Sequence, residues 1–310
     1  MIVNTDIAET INITTNGEYN VARYTTANVN TPAAPAHYIE KTVDANGKMI
    51  STSNIMSFAG VTDIGAGEIM YAYEGNTNIS GALDMSDLTS LTGNDACSVA
   101  FSGCTGLTSV DLSSLATVSG IGCCASMFSG CTGLTSIDLS SLATVSGREG
   151  LSNTFHGCTG LTSVNLSALT TISGQNGCGF LFSGCTNLAS ANMSGLTTIS
   201  GEKACRNMFQ YCSGLTSVDL SALTTLTGSQ ACNIMFYGCT SLTSLSFPAL
   251  TSNSFGSYYT NQFNNMLQAC SGVTVHFPSN LQSVIGSWSD VTNGFGGTNT
   301  TVLYDLPATE

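Results

Sequence analysis

Charge is what this sequence has least of. Only 8% of its 310 residues are Asp, Glu, Lys or Arg, against about 25% in an ordinary soluble domain. Six Lys+Arg stand against nineteen Asp+Glu, giving a formal net charge of −13. A cation supply this small cannot build a patch that displaces counterions from a phosphate backbone, which excludes nucleic acid as a partner. The same deficit argues against docking on anionic lipid. No apolar run approaches the ~18 residues of a spanning helix, so membrane insertion is not expected. The thirteen cysteines contain no Cys-x-x-Cys, which removes the usual zinc-knuckle spacing. Met1-Ile2-Val3-Asn4-Thr5-Asp6 has neither a basic n-region nor an apolar h-region, so the expectation is a chain made and folded in a cytoplasm.

What is present is periodic. Phe101, Phe128, Phe155, Phe182, Phe209 and Phe236 recur with a strict 27-residue period, and shortly after each comes Cys104, Cys131, Cys158, Cys185, Cys212 or Cys239. The unit from Phe101 to Gly120 returns at Phe128–Gly147 with one change, Ile137 for Val110. Leu107-x-x-Val110-x-Leu112-x-x-Leu115 fits the leucine-rich-repeat skeleton. Val110 and Leu112 alternate with Ser109 and Asp111, so one strand face is apolar and the other polar. Cys97, Phe101 and Cys104 fall at i, i+4 and i+7, the stripe of a short helix, which Gly103 and Gly106 would end. Such a unit cannot bury its apolar side alone, and stacking makes one continuous core. The fold class expected is an α/β repeat, a leucine-rich-repeat solenoid of about eight coils.

Both ends depart from the repeat, as capping units do. One period before Phe101 stands Glu74, which does not fit the ladder. After Leu250 the period slips, with Cys270 lying farther than one period beyond Cys239. Val273–Phe277 reads as a last strand, Ser279–Ile285 as a capping helix and Thr301–Tyr304 as a further strand. At the front, Asn16-Gly17 and Asn46-Gly47 each divide alternating runs, the strongest short signal for a hairpin. Thr31-Pro32-Ala33-Ala34-Pro35 between them reads as a stiff spacer. The division expected is 1–36, an attachment module; 37–80, connector and N-terminal cap; 81–272, solenoid; and 273–310, C-terminal cap.

The units with Phe-x-Gly-Cys-Thr-x-Leu-Thr-Ser-Val-Asp-Leu resemble BspA-type leucine-rich repeats, over roughly residues 74–280. Glu9-Thr-Ile-Asn-Ile-Thr-Thr-Asn-Gly-Glu-Tyr-Asn-Val21, with Val29-Asn30-Thr31-Pro32, is similar to the N-terminal segment of phage tail and virion-surface proteins of gut bacteria. His276-Phe-Pro-Ser-Asn-Leu and Asp305-Leu-Pro-Ala-Thr309 resemble the ends of such proteins. These resemblances imply an extracellular recognition role and no cofactor.

Three groups of residues could carry chemistry. The cysteines form two ladders, the Phe-linked one and Cys97, Cys124, Cys178, Cys205 and Cys232, in which Leu151 fills the gap. A slot that accepts Leu is apolar, so reduced core thiols are expected, with Cys123 singled out as a candidate for exposure. Ser109/Asp111, Ser136/Asp138, Ser163/Asn165, Ser190/Asn192 and Ser217/Asp219 form a row on the outward strand face and are the binding strip expected. Two carboxylate rungs supply too few oxygens for calcium, and no metal site is expected. His37, His156 and His276 are scattered, and spacing alone assembles no nucleophile, base and acid from them, so no catalytic residues are expected. The sequence therefore reads as a non-enzymatic phage virion surface or tail-associated adhesion protein. Residues 1–36 would join other virion proteins, and the solenoid would bind a host-surface or mucosal glycan or protein; a homo-oligomer is compatible with this. The alternatives are a BspA-type bacterial cell-surface adhesin and a capsid or tail decoration protein that binds no receptor.

Overall fold

The computed structural model describes residues 58–308, apart from 59, 68 and 256–260, and the backbone of four strands before them. Those strands are β1 (Glu9–Ile11), β2 (Asn20–Thr26), β3 (His37–Val43) and β4 (Met49–Ser51), paired antiparallel in chain order. The Asn16-Gly17 and Asn46-Gly47 turns and the Thr31–Pro35 spacer lie outside the described residues. The strands flanking each Asn-Gly pair are antiparallel neighbours, with Ile11 opposite Val21 and Val43 opposite Met49. The boundary expected at residue 36 falls between β2 and β3, which pair from Asn20↔Val43 to Thr26↔His37 within one sheet.

The rest is a parallel solenoid with a 27-residue period and about eight coils. Its front row comprises β5 (Ser80–Asp84), β7 (Gly106–Asp111), β9 (Ser136–Asp138), β11 (Ser163–Asn165), β13 (Ser190–Asn192) and β15 (Ser217–Asp219). It continues through β17 (Ser244–Ser246), β18 (Thr274–Pro278) and β19 (Thr301–Leu306). A second row is one parallel sheet of β6 (Ser90–Leu91), β8 (Thr117–Val118), β10 (Thr144–Val145), β12 (Thr171–Ile172), β14 (Thr198–Ile199) and β16 (Thr225–Leu226). Identical residues face one another in register, Thr117↔Thr144↔Thr171↔Thr198↔Thr225. Between the rows Asp111 makes the corner: its Oδ1 accepts the Ser113 N–H at 2.9 Å, closing an Asx turn.

The third segment of each coil is not the helical turn expected. From Asp95 to Cys104 alternate N–H groups point in different directions. Cys97, Val99 and Phe101 donate to Cys123, Ala125 and Met127 of the next coil, whereas Ser98, Ala100 and Ser102 donate to the carbonyl three residues back. A helix would spend every one of these donors inside its own coil. The chain instead makes overlapping turns, each turned back by a residue with positive φ at every fourth position: Asp95, Val99 and Gly103, then Gly122, Ser126 and Gly130. Half the backbone donors thereby stitch neighbouring coils together, and the backbone is satisfied as a buried segment requires.

This ladder of turns packs its inward residues in register. The rings from Phe101 to Phe236 stack with centroids 5.4–5.8 Å apart and planes within 12°. Each thiol of this ladder donates to the carbonyl of the stacked ring one coil earlier, Cys104 to Tyr73 and the others to phenylalanine, as in Cys131 to Phe101 at 3.1 Å and Cys158 to Phe128 at 3.2 Å. Close approach is enforced by a glycine column, Gly120, Gly147, Gly174, Gly201 and Gly228, where a Cβ would overlap the carbonyl oxygen of the glycine one coil earlier.

At the front end the ring ladder is extended by Tyr73, stacked on Phe101 at 5.0 Å, and not by its neighbour Glu74. The first coil carries an extra residue between Tyr73 and Leu83, the register partner of Val110, and β5 and β7 slip out of even register at Gly81/Ala82. At the far end a 3-10 turn (Ser279–Leu281) runs into α1 (Gln282–Ile285), with α2 (Ser289–Thr292) after it, where a capping helix was expected. Phe255, Phe263, Phe277, Phe295 and Trp288 close the core there with edge-on and tilted ring contacts in place of the parallel stack.

Candidate functional site

The front strands bring the whole expected strip into two columns. Ser109 pairs with Ser136 and Asp111 with Asp138, and farther along Ser163, Ser190 and Ser217 align, as do Asn165, Asn192 and Asp219. Strand alternation turns Val110, Val164, Ala191 and Val218 into the core and leaves the polar partners outward. Ser109 and Asp111, beside the first coil, are half-buried, and the other eight are exposed. Over Ser163, Asn165, Ser190, Asn192, Ser217 and Asp219 lies an open groove of about 690 Å³, with Val164, Ala191 and Val218 in its floor.

The acidic and amide column also has structural work to do. Asp138, Asn165, Asn192 and Asp219 each accept the N–H of the serine two residues on, at 2.9–3.2 Å. Only Oδ1 is occupied. Because an N–H fixes that atom as oxygen, the Nδ2 of Asn165 and Asn192 must point the other way, and it has no protein partner among the described residues. The row therefore offers donors at its centre and spare carboxylate oxygens at Asp138 and Asp219. At the first corner Asp84 sits below the usual carboxylate range, held there by the Ser86 backbone N–H first and the Ser86 hydroxyl second.

All thirteen cysteines are buried thiols outside any disulfide. Burial pushes the Cys104 thiol up to about 11 and those of Cys131, Cys178, Cys185 and Cys232 to about 12, so they stay protonated and unreactive. Cys123, expected as the candidate for exposure, is 0% exposed. It occupies the inward slot that other coils give to Ala96, Gly150, Gly177, Ala204 and Ala231, where only a small side chain fits. Among the described residues no three His, Cys, Asp or Glu side chains gather as a metal-ligating group.

His37 lies outside the residues whose side chains are described. His156 is exposed on the turn face, as its variable position suggested. His276 was read as isolated, yet its Nδ1 lies 2.9 Å from Asp305 Oδ1, and Ser246 is its register neighbour on β17. Spacing missed the pair because β19 lies beyond the point where the repeat slips. No hydrogen bond joins Ser246 to the imidazole, so the three do not form a charge-relay set. Of the early aromatics, Phe58 and Tyr73 pack into the core and Tyr71 is 51% exposed.

The turn face is where coils differ most. Arg148, Lys203 and Arg206, the only Lys and Arg among residues 58–308, lie on it, as do Phe180, Tyr211 and Tyr237. No helix among the described residues is long and apolar enough to cross a membrane. No curated protein sequence matches the chain. The profile of the BspA type Leucine rich repeat region matches residues 92–204 and 127–266, in six copies. Together these cover more than half of the sequence, and they coincide with the coils whose Phe, Cys and Leu ladders build the core. The chain belongs to the BspA-type leucine-rich-repeat family.

Proposed function

We propose that this protein is a surface adhesin carried on a phage particle, held there through its N-terminal residues 1–36 and touching the host through the front strip. BspA-type repeats are associated with surface adhesion or protein interaction, and a stacked array of this kind serves as a binding scaffold. The observation that supports a strip-borne contact is the pair of aligned amides, Asn165 and Asn192, whose donors face outward over an open groove lined by hydroxyls. Such a surface suits wet, individually weak contacts with a neutral polyhydroxylated ligand, and copy number on a particle multiplies them. The N-terminal resemblance to virion proteins favours a particle over a cell wall.

The test keeps the fold and changes only the chemistry. Asn165→Asp with Asn192→Asp preserves both Asx turns, which Asp138 and Asp219 already make with carboxylates. The double variant loses the outward amide donors. Binding of labelled full-length protein to intact host cells is expected to fall about thirtyfold, one lost hydrogen bond per rung at ~1 kcal/mol each. Unchanged binding would remove the strip from the account. Antibody labelling of purified particles tests the setting: label on tail or head supports it, and label confined to a bacterial envelope transfers the protein to the cell surface.

A further inference from the structure

The groove over β11, β13 and β15 has an order of its own. Across it, each strand presents a serine, then an inward apolar residue, then an amide or a carboxylate: Ser163-Val164-Asn165, Ser190-Ala191-Asn192 and Ser217-Val218-Asp219. Along it, parallel pairing without a slip sets Ser163, Ser190 and Ser217 in one line and Asn165, Asn192 and Asp219 in another. Val164, Ala191 and Val218 lie between the two lines, in the floor. The groove is therefore an apolar track with a hydroxyl rail on one side and an amide and carboxylate rail on the other, and it repeats every ~4.8 Å along the stack.

A ligand that meets this track on every rung must repeat at the same step and carry polar groups on both edges. An extended peptide advances about 3.3 Å per residue, so it falls out of step within a rung or two. An acidic polymer meets Asp219 in the lining and a net charge of −13 beyond it. A neutral pyranose chain joined β1,4 fits. Its equatorial linkages make a straight, flat ribbon that advances per sugar by nearly the ~4.8 Å strand spacing. C–H groups cover the two faces of that ribbon, and hydroxyls line its two edges. An α1,4 chain of the same sugars curves and leaves the track.

We propose that the groove is a track for a linear, neutral, β1,4-linked glycan lying along the solenoid axis, one sugar to a coil and about three sugars in all. This rests on the front strip being the contact surface, and it names the class of molecule contacted. The C–H face of the ribbon lies over Val164, Ala191 and Val218. One edge meets the serine hydroxyls. The other meets the Nδ2 donors of Asn165 and Asn192, which the Asx turns aim outward. Asp219 accepts from a hydroxyl at the end of the track, through the oxygen its own turn leaves free.

The test titrates full-length protein with β1,4-linked oligomers of two to six sugars, in the glucose and the N-acetylglucosamine series, and with maltohexaose as the α1,4 counterpart. Affinity in at least one β1,4 series is expected to rise about fivefold for the third sugar, one further rung of hydrogen bonding, and to level off by the fifth. The hexaose of that series should bind at least about tenfold more tightly than maltohexaose, which keeps the contacts of a rung or two. Asn192→Asp removes the donor of the middle rung and keeps the corner, as the Asp138 and Asp219 turns show. It should weaken that hexaose about fivefold with no change in melting temperature. Equal affinity for maltohexaose, no gain from the third sugar, no binding of either β1,4 series, or full affinity in Asn192→Asp would each overturn the proposal. Host-cell binding separates its failure from that of the strip. If Asn165→Asp with Asn192→Asp loses host cells while maltohexaose matches the β1,4 hexaoses, the strip keeps its role and the glycan class is wrong. If that variant keeps its host cells, both fail together.

Discussion

Between Gly93 and Leu250, whatever buried polar group one coil leaves open is met by its neighbour in the stack; from Gln262 onward, where the coils lose the repeat, several buried polar atoms have no partner among the described residues. In the interior the Cys158 thiol reaches the Phe128 carbonyl and the Phe155 N–H reaches the Leu181 carbonyl, and the same bonds recur in each neighbour. In the cap, the buried Gln262 amide, Asp290 Oδ2, Thr300 Oγ1 and Tyr304 hydroxyl have no hydrogen-bond partner among the described residues. Translation along the stack lets a single sequence solution be used many times. A terminus has to be solved once, by residues that occur nowhere else in the chain, and there stacked pairs such as Phe247–Phe277 mix with edge-on contacts such as Phe255–Trp288. The lesson is that the solenoid gains its stability from repetition of satisfied contacts, and its ends are where cost accumulates.

The largest effect that could break this contrast comes from removing one interior rung. Phe155→Ala deletes a ring stacked on both sides, on Phe128 at 5.6 Å and Phe182 at 5.7 Å. It is expected to cost about 3–5 kcal/mol by denaturant unfolding. A loss under about 1 kcal/mol would mean that the stack is not what holds coils together. Asp290 sharpens the contrast from the other side. Burial raises its pKa to about 6, against a partial offset from the Phe263 backbone N–H. Because the folded value is the higher one, the carboxyl favours folding while protonated. That contribution is fully present below about pH 4 and lost as pH rises through about 6. Asp290→Asn should therefore stabilise the cap by roughly 1–2 kcal/mol at pH 8 and flatten the pH profile of melting. A variant that melts earlier at pH 8 would show that the charge is better accommodated than the geometry indicates. The smallest change is expected at His276, whose bond links this half-buried ring to the exposed Asp305. His276→Gln should alter stability by no more than about 0.5 kcal/mol, as surface pairs do.

Much of this was legible in the residues themselves. The period, the strand register and the burial of Phe, Leu and Cys followed from spacing, since a side chain that recurs once per period must find its own copy in the next coil. The turn ladder was not legible as such. Inward pairs such as Cys97 and Phe101 stand four apart, and over two turns that spacing cannot be told from the 3.6 of a helix. The discriminating signal was Gly122, Ser126 and Gly130, then Glu149, Asn153 and Gly157: mostly small or amide-bearing residues, four apart, suited to positive φ. The strip was found because strand alternation exposes it. Tyr73 was not legible because the first coil carries an extra residue before Leu83, the register partner of Val110, which shifts the count by one.

The central claim is that the thiols are reduced core side chains, with the Gly-Cys set bonded to carbonyls of the coil before. Counting them by mass after alkylation without reductant tests it most directly. Native protein should take up no label and denatured protein thirteen, one for each buried reduced cysteine. Fewer than thirteen in denaturant would reveal cross-linked sulfurs, and rapid labelling of the native chain would place them at the surface. Either result would contradict the stacked core.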